Sequence, residues 1–248
     1  MIIDNPSPRH IPALRRIWQQ AFGDSDVFLD TFFENGFSYN RCRCVFRDNE
    51  PVAAVYLFDC QWQGKKIAYL YALAVEANHQ KQGLSRLLLA DTHAWLQQRG
   101  YAGAIMEPAT ESLMVYYERL GYRRFGGRME REFLTGEIQT AALQLGDLGY
   151  EQARNRLLPG NAVRQEGVFT KMLHTQAEFY GCEDFVAAVS REEPRILEFL
   201  GDIRQIPGFL KQLNMQKAAV RLPGGDPTAV HFSFSGEDTP GYFGLPLD

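Results

Sequence analysis

A mixed α/β fold is what the hydrophobic patterning of this chain predicts, and three observations lead to it. Short runs of β-branched and aromatic residues alternate with amphipathic helical stretches. The runs between 42 and 75 are separated by two tight-turn signals, Asp48-Asn49-Glu50-Pro51 and Gln63-Gly64. The last of these runs ends at Val75 and passes through a polar loop into a Leu-rich helix. The expected result is a mixed, mostly antiparallel central sheet flanked by helices.

Taken in order, residues 1–4 read as a short strand stopped by Asn5-Pro6. A helix follows with Ile11, Leu14, Ile17 and Trp18 on one face. Residues 25–33 predict a second helix that turns Phe28, Leu29, Phe32 and Phe33 inward. Residues 41–75 then give three antiparallel strands joined by hairpins. The helix after Gly83 keeps Leu84, Leu87, Leu88, Trp95 and Leu96 for the core and closes at Arg99-Gly100. "YAGAIMEPA" is a strand, "SLMVYYERLGY" a helix and "GRMEREFL" a strand, which completes a domain over 1–135.

Residues 136–147, small and polar without a period, read as a linker, and 148–248 as a second, smaller domain. There "YEQARNRLL" and "GVFTKMLHTQAEFYG" predict helices, "DFVAAVS" and "RILEFL" strands, "PGFLKQL" a helix, and "KAAVRL" and "AVHFSF" strands. That order echoes the first half, a repeat of architecture without identity of residues.

Composition narrows the function. Of 248 residues, 45% are hydrophobic and 23% charged, which suits a globular protein. The net charge of −4 gives no drive toward nucleic acid or an anionic membrane. No apolar run reaches the roughly 20 residues of a membrane span, and the first ten residues do not read as a signal peptide. Cys42, Cys44, Cys60 and Cys182 lack disulfide or zinc-ligand spacing, so no metal is expected and a reducing, cytoplasmic setting is the default. Oligomeric state is not legible.

The stretch "VEANHQKQGLSRLLLA", residues 75–90, carries the chemistry. A helix that opens at Gly83 has main-chain N–H groups without intrahelical acceptors and a partially positive end. A Gly there lets an anion approach the backbone, and Gln80 and Lys81 add side-chain donors. An ordinary capped helix start fits the same spacing.

Residues 1–135 resemble the GNAT acyl-CoA-dependent N-acyltransferases. In that superfamily an apolar triplet, here Leu73-Ala74-Val75, precedes a loop Q/R-x-x-G-x-G/A that opens a long helix. The loop here is Gln80-Lys81-Gln82-Gly83-Leu84-Ser85, with Ser85 where Gly or Ala is usual. Downstream, Tyr116-Tyr117-Glu118-Arg119-Leu120-Gly121-Tyr122 is similar to a second family motif, with Thr110 in place of Asn and Leu113 in place of Ala. The resemblance implies acetyl-CoA as acyl donor, its pantetheine arm along 73–75 and its pyrophosphate on the amides of 80–85. It also implies an oxyanion donor at the Val75 N–H and Tyr117 as proton donor to the departing thiolate; a packed aromatic on an amphipathic helix is the other reading of Tyr117.

The acceptor expected is a primary amine of a small molecule or peptide. Glu76, Glu107, Glu111 and His79 are candidates for the base, and each also fits a solvated surface charge. Glu107 is the most suggestive because it ends the strand expected to flank the groove. The second half lacks the Q/R-x-x-G-x-G/A loop: "IRQIPGFLKQL" stands where it would fall, which implies a GNAT-like half without its own CoA site. In tandem members of the superfamily a terminal carboxylate reaches the active site, so Asp248 joins the candidates; a frayed final strand is the alternative. A non-catalytic acyl-CoA-binding sensor is the rival function.

Overall fold

The computed structural model of the protein describes residues 1–236 and 238–245. By packing they form two compact units, Met1–Glu107 with His231–Asp238, and Pro108–Val230 with the residues from Thr239 onward. The sequence reading closes the first domain at 135; by packing, residues 108–135 go with the second unit.

In the first unit, β1 (Ile2–Asp4) leads to α1 (Ile11–Phe22) and α2 (Asp26–Asn35), then β2 (Cys42–Arg47), β3 (Glu50–Trp62), β4 (Lys65–Val75), α3 (Leu84–Gln97) and β5 (Gly103–Met106). α2 starts at Ser25, whose hydroxyl accepts from the Phe28 N–H. Both predicted hairpins form. Their central residues, Asp48-Asn49 and Gln63-Gly64, all have positive φ, as a two-residue turn between twisted strands requires. β1 to β4 pair antiparallel in sequence order, and β5 joins β4 in parallel. Trp18 of α1 packs on Phe32, Tyr56 and Tyr71, closing one sheet face. On α3 the buried stripe is Leu84, Leu88, Leu89, Thr92 and Leu96. Leu87, expected inward, is exposed, because it lies about 140° round the helix from the middle of that stripe.

The second unit opens with α4 (Glu111–Arg119) and β6 (Arg123–Leu134), then β7 (Leu143–Leu145), α5 (Asp147–Leu157), α6 (Val168–Gln176), β8 (Ala177–Gly181), β9 (Phe185–Ser190), β10 (Arg195–Gly201), α7 (Ile206–Gln212) and β11 (Lys217–Ser233). Three expectations change here. The helix read through residue 181 stops at Gln176, since Ala177, Phe179 and Gly181 alternate inward as a strand. The two final strands are one, β11, bent at Pro223-Gly224-Gly225 where both glycines have positive φ. The presumed linker carries β7 and lies along α7: Gly136 N donates to Pro207 O and Thr140 N to Gly208 O, at 2.8 and 3.1 Å.

From β7 onward the topology repeats that of the first unit. A short strand and two helices precede three antiparallel strands, then a helix, then a strand parallel to the third. At the centre of the second unit Arg154 grips Glu198 in a fully buried bidentate pair, 2.7 and 3.0 Å. Tyr150 and Tyr242 donate to the same carboxylate, and the Gln165 amide bonds both the N–H and the carbonyl of Leu245. Every acceptor position on Glu198 is thereby used, which lowers the cost of burying its charge.

Candidate functional site

The geometry around residues 72–85 begins with a register fault. Ala54 faces Ala74 but Tyr56 faces Tyr71, so β4 carries one residue more than β3 across this interval. The extra residue is a bulge at Ala72, which has φ 49 although it is not glycine. Its place is informative. β4 pairs with β5 only at Ile67, Ala68 and Tyr69, and beyond Tyr69 the two strands no longer bond. A bulge bends and twists the strand that carries it, and here it falls where β4 parts from β5.

Past the bulge, the register fixes which way the main chain points. Val75 faces Ala53, and the Glu76 N–H bonds Val52 O at 2.9 Å. That pattern makes Val75–Ala53 a wide pair, so the N–H and carbonyl of Val75 face away from β3, toward the side β5 has left. The Gln80 side chain donates to that carbonyl at 3.3 Å. Leu73, Ala74 and Val75 therefore lie on a stretch of β4 that β5 does not pair.

The loop then turns through a single 3-10 turn, Ala77–His79, and reaches α3 through two left-handed residues, Lys81 (φ 59) and Gly83 (φ 74). Backbone of this kind gathers successive N–H groups into one concavity. Gly83 is the N-cap of α3. It has no side-chain cap bond, and no acidic residue stands in the first turn. The first intrahelical bond runs from Leu87 N to Gly83 O, which leaves the preceding N–H groups without helical acceptors. A Cβ on Gly83 would meet nothing within 4 Å, so its space is open, while its φ disfavours any other residue. An uncapped fourteen-residue helix with an open, glycine-lined mouth presents main-chain N–H groups and the positive end of its dipole.

The structure thus brings Leu73, Ala74, Val75, Gln80, Lys81, Gln82, Gly83, Leu84 and Ser85 together in one loop-and-edge arrangement in the first unit. Glu107 follows β5 in the same unit and is half-buried. Glu76 is committed elsewhere, to Arg16 and to His79, each at 3.0 Å. Glu111 pairs with Arg124 at 2.5 Å.

Tyr117 lies on α4 in the second unit, buried against Tyr116 and Tyr122. Thr110, standing where the family motif has Asn, caps that helix by accepting from Leu113 N, the same duty an Asn performs. Burial, and then the neighbouring Tyr116, pushes the Tyr117 phenol well above its ordinary value, so it keeps its proton throughout the neutral range. Asp248 lies outside the described residues. Ala72 was not among the sequence candidates, because a bulge in an all-apolar run leaves no mark on residue type.

Residues 3–125 match the family model for an acetyltransferase (GNAT) domain. No curated protein matches by sequence. Among solved structures, a GCN5-related N-acetyltransferase from Kribbella flavida is similar over 93% of this chain and 70% of its own, with TM-score 0.75 and 13% identity. Eis1 from Mycobacterium abscessus is similar over 92% and 66%, with TM-score 0.66 and 13% identity. A GCN5-related N-acetyltransferase from Sphaerobacter thermophilus is similar over 99% and 98%, with TM-score 0.56 and 13% identity. At these identities the structural likeness concerns the fold.

Proposed function

The chain belongs to the GNAT superfamily of acyl-CoA N-acyltransferases, and from that premise we propose that it moves an acetyl group from acetyl-CoA to a primary amine of a small molecule or peptide. Both reactants are bound together and the amine attacks directly. The observation that carries this reading is the mouth of α3, where the main chain offers N–H groups to an anion and Gly83 keeps the approach open. The backbone fits a diphosphate. The amides of 81–85 would hold it, with the side chains of Gln80 and Lys81 beside them, and the edge 73–75 would take the pantetheine arm.

Bound acetyl-CoA supplies the activated thioester; the chain supplies orientation and polarity. The Val75 N–H is the donor to the thioester oxygen as it gains charge, a placement its outward-facing register supports. Tyr117, protonated at neutral pH, donates a hydrogen bond to the departing sulfur. Glu107 takes the proton of the amine. The segment from 148 on is a GNAT-like half without a donor site. Its α7 has only seven residues, and the Asp202 carboxylate already accepts from Arg204 N just before it. A cytoplasmic location is supported by four free cysteines, and among the described residues no helix is long and apolar enough to cross a membrane.

A non-catalytic acyl-CoA sensor is favoured by one observation, the commitment of Glu76 to ion pairs beside the loop. Thiol release from acetyl-CoA with a panel of amines separates the two. Gly83→Asp introduces a charge and a Cβ at a positive φ and should weaken CoA binding at least tenfold by calorimetry; unchanged affinity would overturn the cradle. Tyr117→Phe should slow turnover while CoA still binds. A wild-type chain that binds CoA and releases no thiol with any amine would establish the sensor.

A further inference from the structure

Glu76 directly follows the strand edge at 73–75 and opens the loop that leads to Gly83, yet it is no ordinary surface charge. Only 16% of its side chain is exposed, and both carboxylate oxygens are engaged. Oε1 accepts from Nε and a terminal nitrogen of Arg16 on α1, at 3.1 and 3.0 Å. Oε2 meets Nδ1 of His79, three residues on, at 3.0 Å. The main chain of Glu76 is fixed as well: its N–H bonds Val52 O on β3, and its carbonyl accepts from His79 N at 2.8 Å. Arg16 does not act alone. Gln20, one turn further along the same flank of α1, accepts from the Ala77 N–H at 3.5 Å. The neighbouring face of α1 buries Ala13, Leu14, Ile17 and Trp18, so the helix that holds the loop is itself anchored on the sheet.

Two properties of the loop make such an anchor consequential. The first is shape. Lys81 and Gly83 hold left-handed φ and gather main-chain N–H groups into one concavity. A site that is already shaped binds more tightly than one that must order its loop first. The second is charge. A free carboxylate at the start of an anion-binding loop repels the ligand, and Arg16 neutralises it. Glu76 also stands between the two parts of the donor site: the Val75 N–H precedes it, and Gln80, which donates to the Val75 carbonyl at 3.3 Å, follows it. A shift of Glu76 would turn these parts relative to each other.

We infer that Glu76 is a positioning residue for the donor site: through Arg16 it ties the loop 76–83 to α1 and holds the N–H groups of the cradle in place for a diphosphate. The inference rests on the acyltransfer reading above, in which that loop takes CoA. It is tested by calorimetry of CoA on the full chain, with Arg16→Ala, Glu76→Ala and the double variant, each also followed by thermal melting. Because Arg16 is 49% exposed, the effect expected of each single variant is modest, about a fivefold weaker affinity. The double variant should fall no more than about twofold below the weaker single one, since both changes break the same tie. Arg16→Lys, which keeps the charge without the fork, should recover part of what Arg16→Ala loses. The KM for the acceptor amine should not move.

Variants that bind CoA as the wild type does overturn the inference, and a lower melting temperature with unchanged affinity does so too, since the pair would then serve stability alone. Losses that simply add in the double variant overturn it as well. A wild-type chain that does not bind CoA removes the acyltransfer reading and the inference together. Coupled losses of affinity in a chain that releases no thiol would sink the enzyme reading and leave the positioning role standing.

Discussion

His93 lies on α3 with its imidazole against Phe232, 4.5 Å between ring centres, and Phe234, 5.4 Å. Burial lowers its pKa to about 4 from an ordinary 6.5. The neutral ring is therefore the folded form across the neutral range, and the charged ring is favoured only when the chain unfolds. Above pH 6.5 the imidazole is neutral in both states and costs nothing. As pH falls from 6.5 toward 4 the unfolded chain takes up a proton that the folded chain refuses, so stability is lost progressively over that window. Below 4 the loss is complete at roughly 3 kcal/mol, from 1.36 kcal/mol for each pH unit between the two values. Denaturant titrations at pH 7 and pH 4.5 should therefore lose more stability in the wild type than in His93→Phe, by about 2–3 kcal/mol. Equal losses would mean that solvent reaches the ring.

Elements show most clearly what residue types encode and what they leave out. Asp48-Asn49 and Gln63-Gly64 announce their hairpins because few residues accept positive φ in succession. Glycine at 83 and the Leu pattern after it announce both the loop and the helix. Most of the candidate donor site was legible in this way, since its chemistry belongs to the main chain. The strand at 177–181 was not legible, because "HTQAEFYG" suits either helix or strand and only pairing with β9 decides it. Glu198 reads as a charge in an apolar strand, and nothing nearby in sequence names Arg154 as its partner 44 residues away. The bulge at Ala72 is of the same kind, set by how β3 and β4 register and not by the residue itself. Its strain makes a prediction that runs against propensity. Valine is the better strand former, yet at φ 49 a β-branched side chain meets its own backbone. Ala72→Val should therefore destabilise by about 1–3 kcal/mol and weaken CoA binding, because the strand edge at 73–75 takes its direction from the bulge. A variant as stable as wild type with unchanged CoA affinity would show that the bulge can be ironed out without consequence.

At the scale of the molecule, the chain does not finish one unit before starting the other. Residues 231–238 return to the first unit, and the tail from 239 belongs again to the second, where Tyr242 and Leu245 are tied to Glu198 and Gln165. The return is tightly fitted. Phe234 N donates to Ala102 O at 2.9 Å, and the His231 ring packs on Trp62 at 5.4 Å between centres. Gly103 has no room for a side chain, since a Cβ there would lie 2.5 Å from His231 Nε2 and 2.7 Å from Phe232 O. β5, only four residues long, thus has β4 on one side and the end of β11 on the other. The alternation in "AVHFSF" shows that a strand forms but not which unit its end joins, which is why the sequence divides the chain at 135. A fragment of residues 1–135 consequently lacks the strand that covers β5 and the aromatic rings that cover His93, while carrying α4 and β6 without the unit they pack in. Exposed strand edges of that kind invite association. The fragment should run as aggregate on gel filtration, without cooperative thermal unfolding, whereas the full chain should unfold cooperatively. Appending residues 231–238 through a flexible linker to residues 1–107 should restore a cooperative transition. A monomeric 1–135 fragment that melts cooperatively would prove the returning strand dispensable.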